Sequence, residues 1–141
     1  MAWRRAPGSP PSSCRRTPSG CRPSLDGRFD VVFASYGVLA WIRDVIAWMG
    51  GAARELRPGG QLVLVADTVQ HAHSLGEVVT AAAAAGLVVR ELREYLDVES
   101  DDRDMLVRGD DGRYRLPFGD QYLPVLYSLV AGESPSSQPG A

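Results

Sequence analysis

Three side chains able to move a proton crowd into one stretch: Asp67, His71 and His73, within Asp67-Thr68-Val69-Gln70-His71-Ala72-His73. Asp67 closes an apolar run, Gln61 to Ala66, and a carboxylate there could orient or deprotonate a nucleophile. A solvated or helix-capping aspartate is the competing reading, because carboxylates are mostly exposed. Imidazole suits base chemistry near neutral pH, which makes His71 a second candidate, with His73 beside it. Both could equally be solvent-exposed loop histidines. Two histidines at i and i+2 could hold a metal, but zinc needs a third protein ligand and none is evident, so no metal is expected. Cys14 and Cys21 have no histidine cluster near them and lack zinc-site spacing, and the absence of further cysteines argues against a disulfide scaffold. Trp41 could line a substrate cleft, whereas Trp48 falls where a helix face would pack. Tyr95 and Tyr122 read as packing residues.

The elements that would position these groups follow from periodicity. Phe29 to Ala34 is a short apolar run punctuated by Gly27 and Gly37, and Gln61 to Ala66 is another. Between them Val45, Met49, Ala52 and Leu56 recur at helical spacing behind Asp44, a fitting N-cap. Strand, crossover helix and strand make a βαβ unit, whose parallel strands are buried on both faces and therefore near-continuously apolar. Ligands bind at the carboxyl ends of such strands, here Ser35-Tyr36-Gly37 and Asp67-Thr68. Gly50-Gly51 interrupts the helix at a cost of roughly 1 kcal/mol per glycine, which predicts a close helix–sheet approach or a kink. Pro58-Gly59-Gly60 predicts a tight reversal into the second strand.

Ser74 and Glu77 have the spacing of a capping box, so a second helix runs through Val78, Val79 and Ala81–Ala85, with Gly86 at its left-handed end. Leu87 to Tyr95 is a third strand with one face partly wet. Residues 97–113 are acidic and glycine-containing and read as a solvated loop. Leu123 to Ala131 is a fourth strand. Its connection carries no crossover helix, so it should run antiparallel.

The chain carries a net charge of −2, but residues 1–28 hold six arginines against Asp26, a balance of +5, which leaves −7 on the remainder. An acidic folded part argues against a nucleic-acid partner. Residues 1–25 are rich in Pro, Arg and Ser and are expected to be disordered, as are residues 133–141. No apolar run approaches the roughly 20 residues that span a bilayer, so no membrane partner is expected and a cytoplasmic location is the default.

Together, Phe29-Asp30-Val31-Val32 with its Ser-Tyr-Gly-Val-Leu turn, Trp41-Ile42 with Asp44, and Leu56-Arg57-Pro58-Gly59-Gly60 resemble the C-terminal half of class I S-adenosylmethionine-dependent methyltransferases. Ser74-Leu75, Ala85-Gly86-Leu87, Glu94-Tyr95 and the run Leu123 to Leu129 extend the likeness over about residues 26–132. The resemblance implies an α/β fold: a partial Rossmann-like three-layer sandwich, mostly parallel, with an antiparallel last strand. The four strands would be the fourth to seventh of the family's seven, the seventh inserted between the fifth and sixth. It also implies S-adenosyl-L-methionine as cofactor, with Ser35, Tyr36 and Gly37 bordering it, and Trp41, Asp67 and His71 on the side of a small-molecule substrate.

The family's glycine-rich turn after its first strand has no counterpart before residue 28. The chain is therefore expected to be an N-terminally truncated methyltransferase with impaired or lost activity, residues 1–24 being a remnant or a wrong start. Loss of the first strands would bare the edge of strand 29–34, and a bare apolar edge invites pairing with a second copy. Two other functions compete: a non-catalytic remnant or dimerising interaction module, and a Rossmann-type nucleotide-dependent oxidoreductase. The missing glycine fingerprint weakens the oxidoreductase equally, and the antiparallel last strand favours the methyltransferase.

Overall fold

The structure is a computed structural model that describes residues 2–5, 25–35, 37–68, 73–101 and 104–134. Tyr36, His71, Cys14, Cys21 and the rest of both tails lie outside the described residues. The main sheet is built from β1 (Ala2–Arg5), β2 (Phe29–Ala34), β3 (Leu56–Asp67), β4 (Leu87–Tyr95) and β9 (Leu126–Glu133). Two helices, α1 (Val45–Glu55) and α2 (Leu75–Ala84), connect β2 to β3 and β3 to β4. The strand order is β1-β2-β3-β9-β4. β2 and β3 are parallel, and β9 is antiparallel to both β3 and β4, so β2, β3 and β4 share one direction. The last strand thus lies between the two that precede it, as the family resemblance implies.

Alternation decides what each face does. Val32, Ala34, Leu62, Leu64, Ala66, Tyr127, Leu129 and Ala131 point to one side and are buried against Val45, Met49 and Ala52 of α1 and Val78, Ala81 and Ala82 of α2. Each fully buried aliphatic side chain here contributes about 1.5–3 kcal/mol. Trp48 packs, partly buried, against the same cluster, as its helical spacing predicts. The intervening residues Val31, Phe33, Val63, Val65 and Val130 are half-buried on the opposite face. Both described helices therefore cover one face, and the third layer of the sandwich is not among the described residues.

Local chemistry sets the ends of the elements. The Asp44 carboxylate accepts the Ala47 N–H at 2.9 Å. The capping box of α2 is complete, with Glu77 N–H donating to Ser74 Oγ at 3.2 Å and Ser74 N–H donating to the Glu77 carboxylate at 2.7 Å. That backbone bond, followed by the Ser74 hydroxyl, holds the Glu77 carboxyl below its ordinary value. β3 begins at Leu56 rather than at Gln61, so the expected reversal lies inside the strand, where Gly59 takes a φ of +79° and the pairing with β2 shifts register between Phe29 and Val31. The next residue, Gly60, is hemmed in by carbonyls: a Cβ there would lie 2.9 Å from Arg57 O and 3.0 Å from Phe29 O. The close approach expected of the helix glycines is absent at Gly50, where a Cβ would meet only the Arg54 guanidinium, at 3.9 Å.

Three expectations need correction. The acidic segment 97–113 is not a plain solvated loop. It supplies β5 (Asp97–Val98) and β6 (Val107–Arg108), which flank β7 (Tyr114–Phe118), itself hairpinned to β8 (Gln121–Leu123). Cross-strand ion pairs knit this second sheet: Arg113 to Asp97 (2.5 Å) and Glu99 (3.2 Å), and Arg115 to Asp97 (3.3 Å) and Asp111 (2.5 Å). Two-residue strands are too short to show a period, which is why the segment reads as loop. Secondly, the last strand starts at Leu126 rather than Leu123, because Pro124 cannot donate to a ladder. Thirdly, strand 29–34 is not bare. Ala2–Arg5, placed by composition in a disordered tail, pairs antiparallel along it from Ala2↔Phe33 to Arg5↔Phe29. The edge through which a second copy was expected to pair is therefore occupied from within the chain.

Candidate functional site

β2 and β3 run in parallel with Ala34 beside Leu64, so both end at the same edge of the sheet. Ser35 leaves β2 half-buried, and Gly37 follows with a φ of +68°. A Cβ on Gly37 would meet nothing within 4 Å, so the backbone at this strand end is open to a ligand. The chain then winds into one 3₁₀ turn, Leu39–Trp41, held by Ala40 N–H to Gly37 O and Trp41 N–H to Val38 O, both at 3.2 Å. Leu39 plugs the core while Trp41 projects into solvent, 85% exposed. Asp67 closes β3, half-buried, opposite Leu126 and on the sheet face away from the helices.

Hydrogen bonds stitch the loops at this edge to one another. Thr68 N–H donates to Val125 O at 3.1 Å, and its hydroxyl donates to Pro124 O. Val125 N–H donates in turn to Tyr95 O at 2.8 Å, which ties the end of β4 to the start of β9. His73 Nε2 lies 2.5 Å from the carbonyl oxygen of Ile42, joining the loop after β3 to the turn after β2. The site wall thus consists of Ser35, Gly37, Trp41, Asp67, Thr68 and His73. Of the sequence candidates, the structure brings Ser35, Gly37, Trp41 and Asp67 to one edge, while Tyr36 and His71 lie outside the described residues.

Two sequence readings change. His73, weighed as a base beside His71, spends its Nε2 on a backbone carbonyl. Tyr95 and Tyr122, read as packing residues, are 41% and 50% exposed. Tyr95 shares a 3.2 Å hydrogen bond with Ser128 Oγ, and the Arg115 guanidinium stands 5.7 Å from the Tyr122 ring centre. Edge position explains both, since among the described residues β4 pairs only with β9 and β8 only with β7. Sequence reasoning placed Thr68 at a strand end but missed its bonds to the Pro124 and Val125 carbonyls. Their partners are 56 and 57 residues away along the chain, beyond any local signal.

Neither a protein-family model nor a curated protein matches this sequence. Solved structures do match in fold. An S-adenosylmethionine-dependent methyltransferase from Mesorhizobium loti superposes with a TM-score of 0.54 at 14% identity, over 75% of this chain and 63% of that one. One from Thermotoga maritima gives 0.55 at 14% identity, over 84% and 62%. The 16S rRNA (adenine(1408)-N(1))-methyltransferase from Catenulisporales acidiphilia, determined with S-adenosylmethionine, gives 0.54 at 20% identity, over 89% and 62%. The chain thus spans under two thirds of the length of these structures. Its sheet, with the antiparallel strand β9 inserted between β3 and β4, has the class I S-adenosylmethionine-dependent methyltransferase fold on a partial chain.

Proposed function

We propose that this chain serves methyl transfer from S-adenosylmethionine to a small-molecule acceptor. The observation that carries the reading is the strand order, which sets Ser35 and the open backbone at Gly37 beside the Asp67 end of β3. The residues present fit one flank of the cofactor: Ser35 and Gly37 would border it, with no Cβ to bar close approach at Gly37. When bound, the cofactor supplies a methyl group already activated by its sulfonium. The chain then has mainly to align acceptor and methyl, so proximity and orientation carry the rate. Asp67 and Trp41 stand where an acceptor would enter, Asp67 to orient it and the Trp41 indole to cover it. The balance of −7 outside residues 1–28 suits a small acceptor better than a polyanion.

The helix starts speak against the oxidoreductase reading. Dinucleotide cofactors lay a pyrophosphate on a free helix N-terminus. Here α1 and α2 begin with carboxylates already bound to their own N–H groups, from Asp44 and Glu77. Calorimetric titration with S-adenosylhomocysteine tests the proposal, with NAD as the control. Saturable heat from the first and none from the second is expected, and the Gly37→Val variant should weaken it. Binding of NAD alone, or of neither, overturns the reading.

A further inference from the structure

We propose that His73 is a positioning residue that clamps the two halves of the site wall together. The inference rests on the methyltransferase reading for its catalytic meaning, and on geometry alone for the clamp. His73 sits one residue before Ser74, the cap of α2, and its Nε2 reaches Ile42 O, 31 residues earlier, at 2.5 Å. Ile42 ends the 3₁₀ turn by donating its own N–H to Leu39 O, and two residues later Asp44 caps α1. One imidazole therefore joins the starts of both helices, and with them the turn that carries Trp41 and the segment that leaves β3.

The chemistry of the bond fixes what His73 can do. A carbonyl oxygen only accepts, so Nε2 carries the proton in this arrangement. The neutral ring must be the Nε2–H tautomer. Bonded in this way, Nε2 is not free to take a proton from an acceptor. Among the described residues, Glu77 on α2 interacts electrostatically with the ring, and Arg43 and Asp44 follow Ile42 in sequence. None of them competes for Nε2 in the structure. In-line transfer tolerates little play, and a misplacement of about 1 Å can cost on the order of a hundredfold in rate.

Three proteins test the clamp: the wild type, His73→Ala, which deletes the donor, and His73→Gln, whose side-chain amide places an N–H close to Nε2. Hydrogen exchange at Ala40, Trp41 and Ile42, the amides of the turn, should accelerate about tenfold or more in His73→Ala as the turn opens locally. It should return to within about threefold of wild type in His73→Gln. Affinity for S-adenosylhomocysteine should fall and recover in the same order. Unchanged exchange in His73→Ala overturns the clamp whatever the ligand does. Failure of His73→Gln to rescue overturns it too. If the wild type binds no S-adenosylhomocysteine while exchange follows the expected order, the methyltransferase reading fails and the clamp stands.

Discussion

Replacing Gly60 by alanine and, separately, Gly50 by alanine should move stability in opposite directions. At Gly60 the new methyl carbon would sit 2.9 Å from Arg57 O, 3.0 Å from Phe29 O and 3.1 Å from Asp30 O. All three neighbours are backbone atoms at the β2–β3 junction, where the register already shifts between Phe29 and Val31, so no flexible side chain can yield. Overpacking of this kind costs about 1–3 kcal/mol, against about 0.4–1 kcal/mol gained by stiffening the unfolded chain. The net expectation is a loss of about 1–2 kcal/mol, which lowers Tm by about 4–8 °C in a domain of this size. At Gly50, in the middle of α1, the methyl meets only the end of a long side chain at 3.9 Å. There alanine removes the helix penalty of glycine and should add about 0.5–1 kcal/mol. Thermal and urea unfolding followed by circular dichroism read both. A Gly60→Ala protein as stable as the wild type would refute the close approach of the carbonyls, and a destabilised Gly50→Ala would refute the open space on α1.

Tyr127 is buried in the core and its hydroxyl has no hydrogen-bond partner among the described residues, so Tyr127→Phe should raise stability by about 1 kcal/mol in urea titrations. Burial pushes the Tyr127 hydroxyl up to about 12 from 10.0; the folded state thus favours the neutral form, and wild-type stability should fall between pH 10.0 and about 12, a dependence that Tyr127→Phe removes. Ser74→Ala deletes half the capping box and should cost about 1 kcal/mol at neutral pH. Because the Glu77 carboxyl is held below its ordinary 4.5, its share of stability is present above that pH and lost as pH falls below it, and acid titration of Ser74→Ala should show a weaker loss. Trp41→Ala removes an exposed side chain and should leave stability within about 0.5 kcal/mol of wild type, while lowering kcat/KM for the acceptor; an unchanged kcat/KM would take Trp41 out of the site.

Elements with local causes were legible in the amino-acid sequence alone. The capping residues Asp44 and Ser74, the box partner Glu77, the left-handed Gly86 and the near-continuous apolar runs at 29–34 and 61–66 each act through neighbours a few residues away. That is why α1, α2, β2 and β4 fall where their patterns place them. The missing crossover before the last strand was equally legible, and it supplied the antiparallel β9. Whatever depends on long-range partners emerged with the fold. The bonds of Thr68 to Pro124 and Val125, of His73 to Ile42, and of Arg113 and Arg115 to Asp97 join residues between 16 and 57 positions apart, and no periodicity announces them. The same holds for the pairing of Ala2–Arg5 with β2, a strand of four residues in a stretch whose composition favours disorder. Local sequence thus sets where strands end and helices start. Folding brings those ends to one edge, and the hydrogen bonds made there turn a row of candidates into a wall.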